Sequence, residues 1–148
     1  SGWRLTLDRA MVVLAAEMVG SAGELLERTV QLLTEREQFG VKLATFQALQ
    51  HRCSMAYCEL ELTASAVLAA LSAIDRGESQ IAAYASQAKA LANDCLTLIS
   101  SEAVQLHGGM GVTDEMDIGL FLKRSRVANQ LLGTSDWHRA RFASLAGF

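Results

Sequence analysis

"MVVLAAEMVGSAGELLERTVQLL", residues 11–33, is the stretch from which the rest of the chain can be read. Val12, Ala16, Val19, Gly23, Leu26, Val30 and Leu33 recur at intervals of three and four, which winds one apolar stripe along an amphipathic helix. Thr6 stands where it can cap the start of that helix, with Asp8 in a first turn whose macrodipole favours an anion. Gly20 and Gly23 lie on or beside the stripe and predict a close helix neighbour. Gly40, in "REQFG" (36–40), is the expected stop signal.

Two further stripes follow. Leu49, Cys53, Ala56, Leu60, Ala64, Val67 and Leu71 mark a second long helix, which "DRGES" (75–79) breaks. Ser79 is a plausible cap for a third, carrying Ile81, Tyr84, Ala88, Leu91, Cys95 and Leu98. Thr113 opens another segment with Asp114, Glu115 and Asp117 in its first turn, and Gly133 ends it. Thr134 or Ser135 then caps a short final helix. Period-two alternation is absent throughout, so no strand is expected. Three long antiparallel helices and two shorter ones predict an all-α fold: an up-down four-helix bundle with extra short C-terminal helices, one domain over residues 1–148. The alternative packing is an extended helical hairpin array completed only by oligomerisation.

Composition agrees. The chain has 148 residues, 51% hydrophobic and 20% charged, with no proline. That describes a folded domain of long helices with few connections. Its net charge is −3 without a basic block, so no nucleic acid partner is expected. No apolar run reaches the length of a membrane span and no signal-peptide pattern is visible, which points to a cytoplasmic protein without a membrane role. Cys53, Cys58 and Cys95 are odd in number and form no CxxC pair, so they read as buried thiols in a reducing compartment. His51, His107 and His138 have no ligand spacing with them, and no metal site is expected. The abrupt start, "SGWRLTLD", suggests a domain cut from a longer chain.

Glycines concentrate in "QLHGGMG" (105–111), behind the third apolar segment. One glycine suffices to end a helix. The others suggest that something approaches the backbone closely. Taken with "EREQFGVKLATFQALQ" (35–50), "AVQLHGGMGVTDE" (103–115) and "LLGTSDWHRARFA" (131–143), this turn resembles the C-terminal domain of the acyl-CoA dehydrogenase family. The three motifs occur in the family's order and cover nearly the whole chain.

The resemblance implies the last third of a longer flavoprotein that lacks here its N-terminal helical and middle β-domains. It implies FAD lying across a subunit interface, an acyl-CoA thioester substrate, and a homo- or hetero-oligomer built as a dimer of dimers. Arg36 and Phe39 match positions that meet the FAD pyrophosphate from a neighbouring subunit. A guanidinium suits phosphate, although a cation at a helix C-terminus would look the same. Gln105 and Gly109 match positions that touch the ADP half. Thr134 matches a hydroxyl that meets FAD from the subunit's own side, and it also reads as an N-cap. Two positions on, Asp136 replaces the family's frequent amide, and a carboxylate near a diphosphate is unfavourable. Asp8 matches an acidic position that contacts CoA in some members, and a first-turn helix Asp accounts for it equally. His107 has no partner that would make it catalytic, and Trp3 and Trp137 read as core or interface packing.

The chain departs from the family where the chemistry sits. Proton removal next to a thioester needs a carboxylate, yet the usual base position of the closing motif holds Leu132. The alternative position, on the first long helix, holds Ala10, and Glu17 lies two turns too far along to stand in for it. Three readings follow: a subunit that shapes FAD sites while another chain supplies the base, an active dehydrogenase with a relocated base, or a non-enzymatic helical interaction module.

Overall fold

A computed structural model describes residues 2–108 and 117–148. Its elements are α1 (Gly2–Glu35), a small hairpin of β1 (Glu37–Gln38) and β2 (Val41–Lys42), a 3₁₀ turn (Leu43–Thr45), α2 (Gln47–Arg76), α3 (Ile81–His107), α4 (Ile118–Gln130) and α5 (Ser135–Leu145). This is the all-α bundle expected, with a short helix closing it. Helix α3 is its axis: α1 and α2 pack on it, and α4 and α5 cover its remaining sides.

The core forms where those helices meet. Met11, Ala15, Met18, Ala22 and Leu25 of α1 face Ala85, Ala88, Ala92, Leu96, Ile99 and Ala103 of α3 within one cluster. Small residues on both helices let the backbones approach, and the large ones then interdigitate. The predicted α1 stripe is therefore displaced by one residue: Val12, Leu26 and Leu33 are buried, but Ala16, Val19 and Gly23 are half-buried and Val30 is exposed. That face turns towards α2, where a Cβ at Gly23 would meet Leu60 Cδ2 at 3.8 Å. Helix α1 has two apolar faces because it has two apolar neighbours.

Several local expectations are corrected. Thr6 is inside α1, its hydroxyl donating to Gly2 O at 3.1 Å, so it caps nothing and Asp8 is past the first turn. Ser79 does not cap α3; Gln80 occupies that position and makes no side-chain cap bond. Gly40 does not end α1, which stops at Glu35. It shares with Phe39 the tip of an unforeseen hairpin, with φ of 77° and 55°, the paired left-handed geometry that matches strand twist. Lys42 secures the hairpin, donating to Glu35 O at 2.9 Å at the end of α1 and pairing with Glu37 at 3.0 Å. The expected start at Thr113 lies outside the described residues.

Gly77 ends α2 as its sequence suggests: φ is 64°, Gly77 N–H donates to Ile74 O and Glu78 N–H to Ala73 O, the two bonds of a Schellman turn. Thr134 caps α5, its Oγ1 accepting from Trp137 N–H at 3.4 Å. Of the cysteines, Cys95 is buried, Cys53 half-buried and Cys58 exposed, all free, so burial of all three thiols is not found.

Helix α2 is the least covered of the three long helices. Met55, Tyr57, Leu62 and Leu68 are each more than half exposed. By length and composition α2 is apolar enough to cross a membrane, although Glu59 and Glu61 interrupt its apolar run. Two apolar hollows flank it. One, of about 500 Å³, lies against α1 and is lined by Leu26, Val30, Tyr57 and Leu60; the other, of about 430 Å³, is lined by Met55, Ala56 and Leu98.

Candidate functional site

The sequence-predicted cofactor residues fall at two places. At one end of the bundle, where α1 gives way to the hairpin and α3 finishes, Arg36 Nη1 donates to His107 O at 3.3 Å. The guanidinium thereby sits at the C-terminus of α3, where unpaired carbonyls favour a cation. It spends one donor there, and a guanidinium carries five. Gln105 is exposed on the same last turn, and Gly108 adopts φ 64° immediately after it. Phe39 projects from the hairpin tip 88% exposed, its ring edge-on to Phe46 at 6.3 Å. Gly109 lies outside the described residues.

His107 is buried, and its Nδ1 lies 2.8 Å from Ala103 O. Nδ1 therefore carries the proton and donates it to that carbonyl. The ring is a structural component of the helix end.

Thr134 belongs to the second place. The turn ahead of it packs over Asn93, whose Nδ2 donates to Gly133 O at 3.2 Å. Asn93 and Gln105 are 12 positions apart on α3, so the two places are separated by roughly 18 Å along the axis. A single small ligand within one chain cannot touch both. An extended one can, as can ligands shared between chains.

The second place centres on Leu131–Thr134. Leu132 is half-buried with φ 59° and Gly133 has φ 110°. His138 lies underneath, fully buried, with Nε2 donating to Leu132 O at 2.9 Å. Burial depresses its pKa to about 4, and the Lys89 and Arg141 charges push the same way. Lys89 is also fully buried; its ammonium reaches Asn93 Oδ1, Ala128 O at 3.0 Å and Gly133 O at 3.4 Å. Burial lowers its pKa to about 8, so it remains largely charged at neutral pH.

Asp8 is only 5% exposed, and its carboxylate pairs with Arg141 at 2.6 Å. Arg141 also donates to Ser86 Oγ at 3.0 Å and lies over the Trp137 ring, 5.6 Å from its centroid. The network ties α5 to the starts of α1 and α3 and turns Asp8 inward. Trp137 is half exposed above it, whereas Trp3 is 71% exposed and packs into no core.

No carboxylate stands at either base position. Leu132 is aliphatic and Ala10 is a half-buried residue of α1. Glu17 is held by Arg124 through both carboxylate oxygens, at 2.6 and 2.9 Å, so its charge is already paired. Asp136 is solvent-facing on the first turn of α5. Among the described residues no group of His, Cys, Asp or Glu side chains could hold a metal.

Sequence reasoning passed over Lys89, Asn93 and Arg141, and weighed His138 only as a metal ligand. The signal for the first two was present: "AKALAND" (88–94) places Lys and Asn four apart within an alanine- and leucine-rich run. Polar residues at helical spacing inside a buried stripe must find partners.

The family model for the acyl-CoA dehydrogenase C-terminal domain matches residues 1–145. Acyl-CoA dehydrogenase IpdE2 of Mycolicibacterium smegmatis is 36% identical over 126 residues, which are 85% of this chain and 39% of that protein. The structure described as a Tcur3481-Tcur3483 steroid ACAD G363A variant superposes with a TM-score of 0.92 at 32% identity, over 97% of this chain and 39% of that one. PigA with FAD and proline gives 0.90 at 25% identity, over 95% and 37%. The chain thus belongs to the acyl-CoA dehydrogenase C-terminal domain family. It spans less than half the length of these relatives.

Proposed function

We propose that this chain is the FAD-interface and oligomerisation domain of an acyl-CoA dehydrogenase-like flavoprotein, in a subunit without its own catalytic base. The observation that carries the first part is the exposed set at the α1–α3 end. Arg36 offers a fixed cation with donors to spare, Gln105 an exposed amide, and Phe39 an uncovered aromatic ring. These suit a diphosphate and the adenosine half of FAD, arriving from outside this chain's own core. FAD, when bound, supplies the hydride acceptor for α,β-dehydrogenation of an acyl-CoA thioester. Thr134 would meet its own subunit's cofactor from the second place, roughly 18 Å away along α3.

Leu132 carries the second part. Removing the α-proton requires an acceptor held against that carbon, and neither Leu132 nor Ala10 provides one. Glu17 is a poor substitute because Arg124 occupies both of its oxygens and it stands two turns along α1 from Ala10. A partner chain bearing the base accounts for the remaining chemistry, and a similar structure whose description joins two names supports a mixed assembly. Asp8 is buried with its Oδ1 against Arg141, and is better understood as a tie between α1 and α5 than as a CoA contact.

The uncovered apolar side chains of α2 favour the oligomerisation role. Met55 and Leu62 on one flank of the helix, and Tyr57 and Leu68 on the other, predict partner surfaces. A second copy of the same domain is the simplest occupant, since one patch then covers its equivalent.

The test is anaerobic flavin bleaching by acyl-CoA in the full-length flavoprotein. The homomeric protein should stay oxidised, and an assembly with a base-bearing chain should bleach. Rapid bleaching of the homomer would show a base outside both positions. Purification of the homomer and the mixed assembly without flavin would instead favour a non-enzymatic interaction module.

A further inference from the structure

Between α4 and α5 the backbone is held in a conformation that its own sequence disfavours. Leu132 has a side chain and yet sits at φ 59°, a region that L-residues enter only when their surroundings over-determine it. The surroundings do so through its carbonyls. Leu132 O accepts from His138 Nε2–H at 2.9 Å, and Gly133 O accepts from Asn93 Nδ2–H at 3.2 Å and from Lys89 Nζ at 3.4 Å. Gly133 permits this approach, because a Cβ there would lie 2.7 Å from Trp137 Cε3 and 2.9 Å from His138 Nε2.

The ammonium of Lys89 is matched to its site. It has three protons, and its three acceptors are Asn93 Oδ1, Ala128 O and Gly133 O. None is a carboxylate. Ala128 lies in the last turn of α4, whose carbonyls have no partner within the helix. A methionine would fill the same space without burying a charge. What the lysine adds is direction: it draws the end of α4 and the Gly133 carbonyl to one point while His138 draws in the Leu132 carbonyl.

We propose that Lys89, Asn93 and His138 are positioning residues that set the backbone of the 128–133 segment, and thereby fix where the side chain of residue 132 stands. The proposal rests on the reading above, in which residue 132 borders the flavin and acyl site. The clamp acts only on main-chain oxygens, so it serves whichever side chain occupies position 132, and in this chain it aims a leucine.

The experiment uses the full-length flavoprotein with ¹³C-methyl-labelled leucine, the Leu132 signals being identified by their loss in Leu132→Met. Comparing holoprotein with protein stripped of FAD tests the underlying reading, since ring current from a neighbouring isoalloxazine shifts those methyls. Lys89→Met and His138→Phe in the holoprotein test the clamp. Either variant should shift the Leu132 methyl resonances or reduce them by half or more, while Leu25 and Leu96 keep their wild-type positions. His138→Gln, which retains a donor, should restore the Leu132 signals. Unchanged Leu132 methyls in a folded variant would overturn the clamp, as would equal movement at Leu25 and Leu96, which indicates general loosening. Should Lys89→Met not fold, His138→Phe decides, because it removes a single hydrogen bond and keeps an aromatic ring in place.

Discussion

Acidification should weaken this domain between pH 6.5 and pH 4, and His138 is the group responsible. Its ring is fully buried and its pKa is depressed to about 4 from 6.5. The native state therefore holds the neutral imidazole, with Nε2–H on Leu132 O. Once unfolded, the same ring takes up a proton below pH 6.5. The unfolded chain thus binds more protons across this window, and stability falls as pH falls. The depression spans about 2.5 pH units, so at 1.36 kcal/mol per unit the loss is on the order of 3 kcal/mol. Above pH 6.5 the contribution is fully present; below pH 4 no more is lost. Urea unfolding of the 148-residue chain, followed by circular dichroism at half-unit steps, measures it. His138→Phe cannot titrate, so its stability should start lower through the lost hydrogen bond but decline less over the same range. Parallel pH profiles for the two proteins would refute the reasoning and place the acid sensitivity elsewhere.

Leu25→Ala should cost roughly 2–5 kcal/mol, because the side chain is wholly buried between α1 and α3. Leu60→Ala should cost less in a monomer, since Leu60 is half-buried; equal losses in urea unfolding would contradict this packing. Arg36→Ala in the full-length flavoprotein should weaken FAD binding by about one to two decades, the roughly 1.5–3 kcal/mol of a charge-assisted hydrogen bond. Unchanged flavin retention during dialysis would remove Arg36 from the site. Leu62→Glu with Leu68→Glu should shift the sedimentation coefficient towards monomer while helicity is kept, since a charge on a buried apolar interface is strongly disfavoured. An unaltered assembly would move the interface off α2.

Local sequence was enough to place α1, α2 and α3 and to break α2 within "DRGES" (75–79), because helix spacing and helix-breaking residues are local properties. It also offered Thr134 or Ser135 as a cap, and its motifs pointed to the family. The buried face of α2 was legible, its predicted stripe being buried or half-buried throughout, whereas those of α1 and α3 were not fully so. Helix α3 touches four others, so it is buried on most sides, and α1 carries one stripe for α3 and another for α2. The hairpin at Glu37–Lys42 escaped notice because two residues per strand are too few to show alternation. The inward turn of Asp8 and the burial of Lys89 and His138 depend on Arg141, Ala128 and Leu132, which are distant in sequence. Local sequence determined where helices run. Only tertiary contact decided which polar groups lose water, because that depends on partners the chain supplies from far away.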